Sequence, residues 1–183
     1  MTSAFSQNPA PLYPEDLLTG DPYSKPWRIA HVKSRREKAL ADFLGRQGVG
    51  YYLPLTARRQ ASRNRVRYSL VPLFGGYLFF KADDVERHKA MRTNHIARVI
   101  DVQDPQTLVW ELRNIYRALS GDLPVYPTDF LTTGRCVRIK AGPLKNVEGI
   151  VVRKDRHFRL VLSVSSIMQS ISVEVEADMV EPL

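Results

Sequence analysis

One cysteine, Cys136, stands among the 183 residues of this chain. A single thiol excludes an internal disulfide and cannot anchor a metal cluster. The four histidines, His31, His88, His95 and His157, are scattered, and no metal-ligand spacing links them. No window approaches the ~18 consecutive apolar residues that a membrane-crossing helix requires, and the first residues lack the apolar core of a secretory signal. The 10 glycines never gather into a phosphate-cradling loop; Gly75-Gly76 is too short for that and reads as a turn. No nucleophile elbow is present. Glu174, Glu176 and Asp178 fall in or just beyond a strand pattern and read as a solvated edge rather than an acid–base pair. These absences argue against catalysis, a cofactor, a bound metal and a membrane, and lead us to expect a cytoplasmic, non-enzymatic chain.

What is present is positive charge, in one place. The formal net charge is +8. Residues 1–26 hold one base and three acids, residues 27–70 eleven bases and two acids, residues 71–125 seven of each, and residues 126–183 eight bases and seven acids. The excess is thus confined to residues 27–70, and such a segment suits a phosphate backbone.

The chain divides by pattern. Residues 1–26 carry Pro9, Pro11, Pro14, Pro22 and Pro26 without periodicity, the mark of a flexible leader. Trp27–Val32 alternates as a strand. Ser34 and Glu37 have the spacing of a capping box, ahead of a helical repeat through Ala39, Leu40, Phe43 and Leu44 that stops near Gly48. Val49–Leu53 reads as a strand and the basic stretch 56–69 as an exposed loop or hairpin. Pro72, Gly75 and Gly76 turn the chain into a core strand, Tyr77–Phe80. Asp83 or Asp84 can cap a short helix to about Arg92, Ile96–Val102 is a further strand, and Asp104-Pro105 opens an amphipathic helix ending near Gly121. Residues 122–131 read as a linker. Gly134–Val152 alternates, turns at Gly142-Pro143 and resumes after Gly149; His157–Val164 and Ser170–Val175 alternate too. An α/β first domain, 27–121, should therefore precede a small all-β domain, 132–183.

The hairpin GRCVRIKAGPLKNVEGIVV resembles the KOW motif of small SH3-like barrels. Together with Trp27–Pro54, the segment VPLFGGYLFFK (Val71–Lys81) and the tail Leu162–Pro182, it makes residues 27–183 similar to the NusG family. The resemblance implies an α+β architecture: a NusG-type α/β sandwich followed by an SH3-like KOW barrel. It also implies a transcription elongation or antitermination factor. Its first domain would bind the clamp helices of RNA polymerase and modulate pausing and termination, and its KOW domain would recruit a partner, the ribosome or Rho. The basic residues 58–67 suggest a specialised paralogue. An RNA-binding or ribosome-associated KOW protein without polymerase affinity is the alternative.

By position, the resemblance assigns polymerase contact to an exposed apolar patch of Trp27, His31, Leu73, Phe74 and Tyr77. It departs at Gly75, where the family usually has proline, an exchange expected to loosen the turn. Lys33, Arg35 and Arg36 at the helix start, with Arg58, Arg59, Arg63, Arg65 and Arg67, would meet non-template or upstream DNA, or nascent RNA. Leu144, Val147 and Ile167 occupy the places where the family exposes its KOW partner-binding residues. A monomer is expected.

Overall fold

The computed structural model describes residues 8–62, 65–121, 124–128, 134–154 and 157–183; at residues 59–62, 65–67, 127, 153, 154, 157 and 177 it describes the backbone alone. The described residues form two compact units that divide between Pro105 and Gln106. Among them no helix is long and apolar enough to cross a membrane.

The first unit contains, in order, β1 (Leu12–Tyr13), β2 (Trp27–Val32), α1 (Glu37–Arg46), β3 (Gly50–Tyr52), β4 (Leu55–Ser62), β5 (Arg65–Pro72), β6 (Tyr77–Lys81), α2 (Asp84–Arg92) and β7 (Ile96–Asp101). Five strands make one antiparallel sheet in the order β1-β3-β6-β2-β7, while β4 and β5 form a separate two-stranded hairpin. Alternation along β2 and β6 sends Ala30, Val32, Leu78 and Phe80 to one face. There they join Leu40, Ala41 and Leu44 of α1, Ala90 of α2 and Ile96 in a single core. Arg28 is buried, and it is satisfied: its guanidinium donates to the Ala82 carbonyl and pairs with Asp84 at 2.6 Å and with Asp101.

Two sequence expectations need correction in this unit, and a third is met. First, residues 8–26 are tied to the sheet, although most of their side chains are exposed. Leu12 and Tyr13 pair with Tyr52 and Tyr51 as the outermost strand of the sheet, and Leu17 and Leu18 are buried. Second, Ser34 and Glu37 form no capping box. Arg35 adopts a left-handed φ of 61° and the Arg36 amide donates to the Lys33 carbonyl, so the chain turns once more before α1 begins, with Arg36 at the cap. Third, Asp83 caps α2 as expected, and the capping box is found there. The Glu86 amide donates to Asp83 Oδ1 at 2.8 Å, and the Asp83 amide donates to Glu86 Oε2 at 2.9 Å.

The second unit holds α3 (Pro105–Ser120, all but its first residue), β8 (Val125–Thr128), β9 (Arg135–Ile139), β10 (Glu148–Lys154), β11 (His157–Val164), β12 (Gln169–Val175) and β13 (Val180–Pro182). The strands form one antiparallel sheet in the order β13-β9-β10-β11-β12-β8. Its buried side chains include Val137, Ile139, Leu160, Leu162, Ile171 and Val173. Part of the expected linker is therefore a strand, since Val125–Thr128 pairs with β12. Helix α3 groups with this sheet, whereas the expected boundary placed it with the first domain. Polar contacts join the two. Glu111 Oε1 accepts from the Ser165 amide at 3.0 Å, Asn114 Oδ1 accepts from the Glu148 amide at 3.0 Å, and Arg117 donates to the Asn146 carbonyl at 3.1 Å. Cys136 is exposed on β9.

Candidate functional site

The face of the first sheet opposite the α1 core carries Trp27, Ile29 and His31 from β2, with Tyr77, Phe79 and Lys81 opposite them on β6. Three of the residues expected to meet polymerase, Trp27, His31 and Tyr77, thus share one surface by simple alternation. Phe74 joins them from the turn before β6, its ring meeting Phe79 edge-on at 6.4 Å and 87°.

Exposure divides this group. Phe74 is only 2% exposed, and Trp27 and Leu73 are buried as well. The expected exposed patch is in that respect corrected: these three side chains are packing residues in the folded chain. His31 is exposed and Tyr77 half-buried, and their rings lie 5.3 Å apart at 39°. On the next strand Arg98 stands directly opposite His31 and is exposed. Tyr77, His31 and Arg98 therefore form a row across β6, β2 and β7, two rings followed by a guanidinium. Arg98 escaped the sequence reading. The alternation of Ile96–Asp101 was its only signal, and cross-strand register cannot be read from that alone.

The turn that positions Phe74 and Tyr77 is fastened rather than loosened. Gly76 has φ 80°, a conformation that side chains other than glycine's adopt at a cost. Its amide donates to Glu37 Oε1 at 2.9 Å and its carbonyl accepts from the Val32 amide at 2.7 Å. Glu37, freed from any cap, reaches across from α1 to make the first of these bonds. A Cβ at Gly75 would meet nothing within 4 Å, so the second residue of the pair is the one held by glycine chemistry.

Lys33, Arg35 and Arg36 are exposed side by side before α1. Lys33 Nζ donates to Asn94 Oδ1, which fixes it beside the loop ahead of β7. No side-chain hydrogen bond caps the helix start, and the first-turn amides of α1 carry the positive end of its dipole. Arg58 is exposed on β4, opposite Ser69, while Arg59, Arg67 and Arg65 stand opposite Tyr68, Gln60 and Ser62 along the hairpin. By alternation positions 58, 65 and 67 share one hairpin face and position 59 the other. Arg63 lies outside the described residues.

In the second unit Leu144, Val147 and Ile167 are all buried, which corrects the expectation that they are exposed. Leu144 and Val147 close the turn after β9, where the Val147 amide donates to the Leu144 carbonyl at 2.9 Å. Leu144, Pro143, Ile139 and Met179 line a cavity of about 290 Å³ with Glu174 and Glu176 at its wall. The exposed apolar residue in this region is Met168, 70% accessible and held out by a left-handed φ of 51° next to Ile167. The resemblance names its neighbour Ile167, and family position does not show which residue of a tight turn faces water.

Glu148 on β10 meets side chains from α3 and β9 in the same unit. It accepts from Arg138 Nε at 2.7 Å and from Trp110 Nε1 at 3.0 Å. Burial pushes its carboxyl up, but those hydrogen bonds and the charges of Arg138 and Arg117 outweigh burial and hold it below its ordinary value.

A family model described as transcription termination factor nusG matches residues 25–116, half of the chain. Among solved structures the chain is similar to one described as domain interaction in Thermotoga maritima NusG, at 17% identity and a TM-score of 0.46, covering 89% of this chain and 99% of that one. No curated protein matches the chain. The matched residues contain the whole row from Tyr77 through His31 to Arg98 and the cations before α1, and the chain belongs to the NusG family of transcription factors.

Proposed function

We propose that this chain is a transcription elongation factor that binds RNA polymerase through the first unit and modulates pausing and termination. Proteins of the family act with RNA polymerase, and the family match lies over the first unit's sheet. The observation that carries the reading is the cross-strand row of half-buried Tyr77 with exposed His31 and Arg98. Aromatic and arginine side chains are the types that anchor protein interfaces. Trp27, Leu73 and Phe74 are buried in the same unit, and the clamp helices are the polymerase element the row would meet.

Lys33, Arg35 and Arg36 would lie along nucleic acid, with the arginines of the β4–β5 hairpin extending the track. Non-template or upstream DNA is the favoured strand and nascent RNA the second. The concentration of bases in residues 27–70 supports a specialised paralogue. The second unit, read as an SH3-like KOW barrel, would recruit a further partner such as the ribosome or Rho. Met168, being exposed, is the apolar contact we favour there, at the edge of the turn that includes Ile167.

The test is a paused-elongation assay run beside a pull-down with RNA polymerase core. Retention on polymerase and altered pause lifetimes are expected. A chain that neither binds polymerase nor changes pausing, while still binding RNA, would replace this reading with that of a free KOW-type RNA binder.

A further inference from the structure

The family match begins at residue 25, yet the chain before it is built into the first unit. Leu12 and Tyr13 pair with Tyr52 and Tyr51. The Pro11 carbonyl accepts from the Leu53 amide at 2.7 Å, and the Ala10 carbonyl accepts from the Tyr51 hydroxyl at 2.9 Å. Lys38 donates to Asn8 Oδ1 at 2.6 Å. Further along, the Asp21 carbonyl accepts from Lys81 Nζ, whose ammonium lies 5.9 Å from the Trp27 ring centre, and the Pro26 carbonyl accepts from the Ala82 amide at 3.0 Å.

One position shows that β3 is shaped for this segment. A Cβ at Gly50 would stand 2.7 Å from Leu17 Cδ1 and 3.5 Å from Pro14 Cδ. Gly50 is not among the residues with positive φ, so glycine is there to make room and not to turn the chain. Leu17 sits in the resulting notch, buried. Outside it, Glu15 and Asp16 are exposed.

In the sheet β3 has β6 on one side and only β1 on the other. Without β1 it would offer a free edge of Gly-Tyr-Tyr-Leu, rich in residues that favour strands. A bare edge of that kind is a template for another strand, and two copies of one edge can pair about a two-fold axis. We propose that residues 8–26 are a strap that occupies the outer edge of β3 and bars a second copy of the chain from pairing there, with the carboxylates of Glu15 and Asp16 turning further copies away.

The test uses the full chain. Exchange of the Leu53 amide reports the strap directly, because its acceptor is Pro11, and sedimentation reports self-association. The wild type should be monomeric with a protected Leu53 amide. Leu17→Asp and, separately, Gly50→Val should each speed Leu53 exchange roughly tenfold or more, as local opening replaces a closed edge, and should each bring a concentration-dependent dimer. Gly50→Val improves the strand propensity of β3, so its effect cannot come from a weakened strand. Leu17→Ala should also abolish the penalty of Gly50→Ala, since the notch would then be empty. A dimeric wild type, unchanged Leu53 exchange in both variants, a released strap without dimer, or additive losses in the Leu17 and Gly50 pair would each overturn the proposal.

Discussion

Glu37 on α1 accepts a hydrogen bond from the Gly76 amide, 39 residues away, at 2.9 Å. The carboxylate is buried, and it ties the helix to the turn that presents Tyr77. Removing the acceptor strands an amide, which costs about 1–3 kcal/mol. Glu37→Ala should therefore lower the thermal midpoint of the first unit, and Glu37→Gln, which keeps an acceptor, should lower it less. Differential scanning calorimetry of the two variants gives the comparison.

The adjacent glycines should respond differently. Gly76→Ala forces a Cβ into a left-handed conformation at about 1–2 kcal/mol. Gly75→Ala meets open space and should stay within about 0.5 kcal/mol of the parent. Denaturant midpoints of the pair check this, and equal losses would contradict the assignment of the strained position.

Substitutions in the candidate interface should separate stability from binding. Phe74→Ala removes a buried ring and should cost about 3–5 kcal/mol of stability, so its effect on polymerase is confounded with folding. His31→Ala and Arg98→Ala touch exposed side chains and should leave the thermal midpoint unchanged while weakening binding to polymerase core roughly fivefold or more. Titration by fluorescence anisotropy measures the loss. Full affinity in both variants would remove the row from the interface.

Nucleic-acid binding should follow salt. Each phosphate contact contributes about 0.9 to the slope of log affinity against log salt on duplex DNA and about 0.7 on a single strand. Replacing Lys33, Arg35 and Arg36 together with alanine should flatten the slope by about 2–3 if each touches phosphate. The same slope in wild type and triple variant would relegate these cations to the solvent.

Glu148 sets an acid limit on the second unit. Its carboxyl lies below the ordinary 4.5, so its contribution is full above that pH and is lost as pH falls through the folded-state value. The stability difference between the wild type and Glu148→Gln should hold at neutral pH and shrink below about pH 4.5. Thermal midpoints across that range provide the measurement.

Local chemistry was legible in the sequence and non-local register was not. The strand Trp27–Val32, the cap at Asp83 and the helix start at Pro105 rest on neighbours a few residues apart. The box at Ser34 failed because one left-handed residue, Arg35, shifted the helix start, and nothing in the spacing announces that. The segment before Trp27 looked loose because its order comes from β3, about 40 residues on, through Leu12 with Tyr52 and Leu17 with Gly50. The face shared by Trp27, His31 and Tyr77 followed from alternation, but the burial of Phe74 and the place of Arg98 depend on strand order. In the second unit the resemblance names Ile167, and the exposure of Met168 beside it depends on a left-handed residue that no local pattern announces.

The solitary thiol on β9 has a practical sequel. Because Cys136 is exposed and has no competitor in the sequence, a maleimide dye or spin label would attach at one defined point in the rear half without any engineered residue. Distances from that point to labelled nucleic acid could then chart where this half travels while a transcript grows.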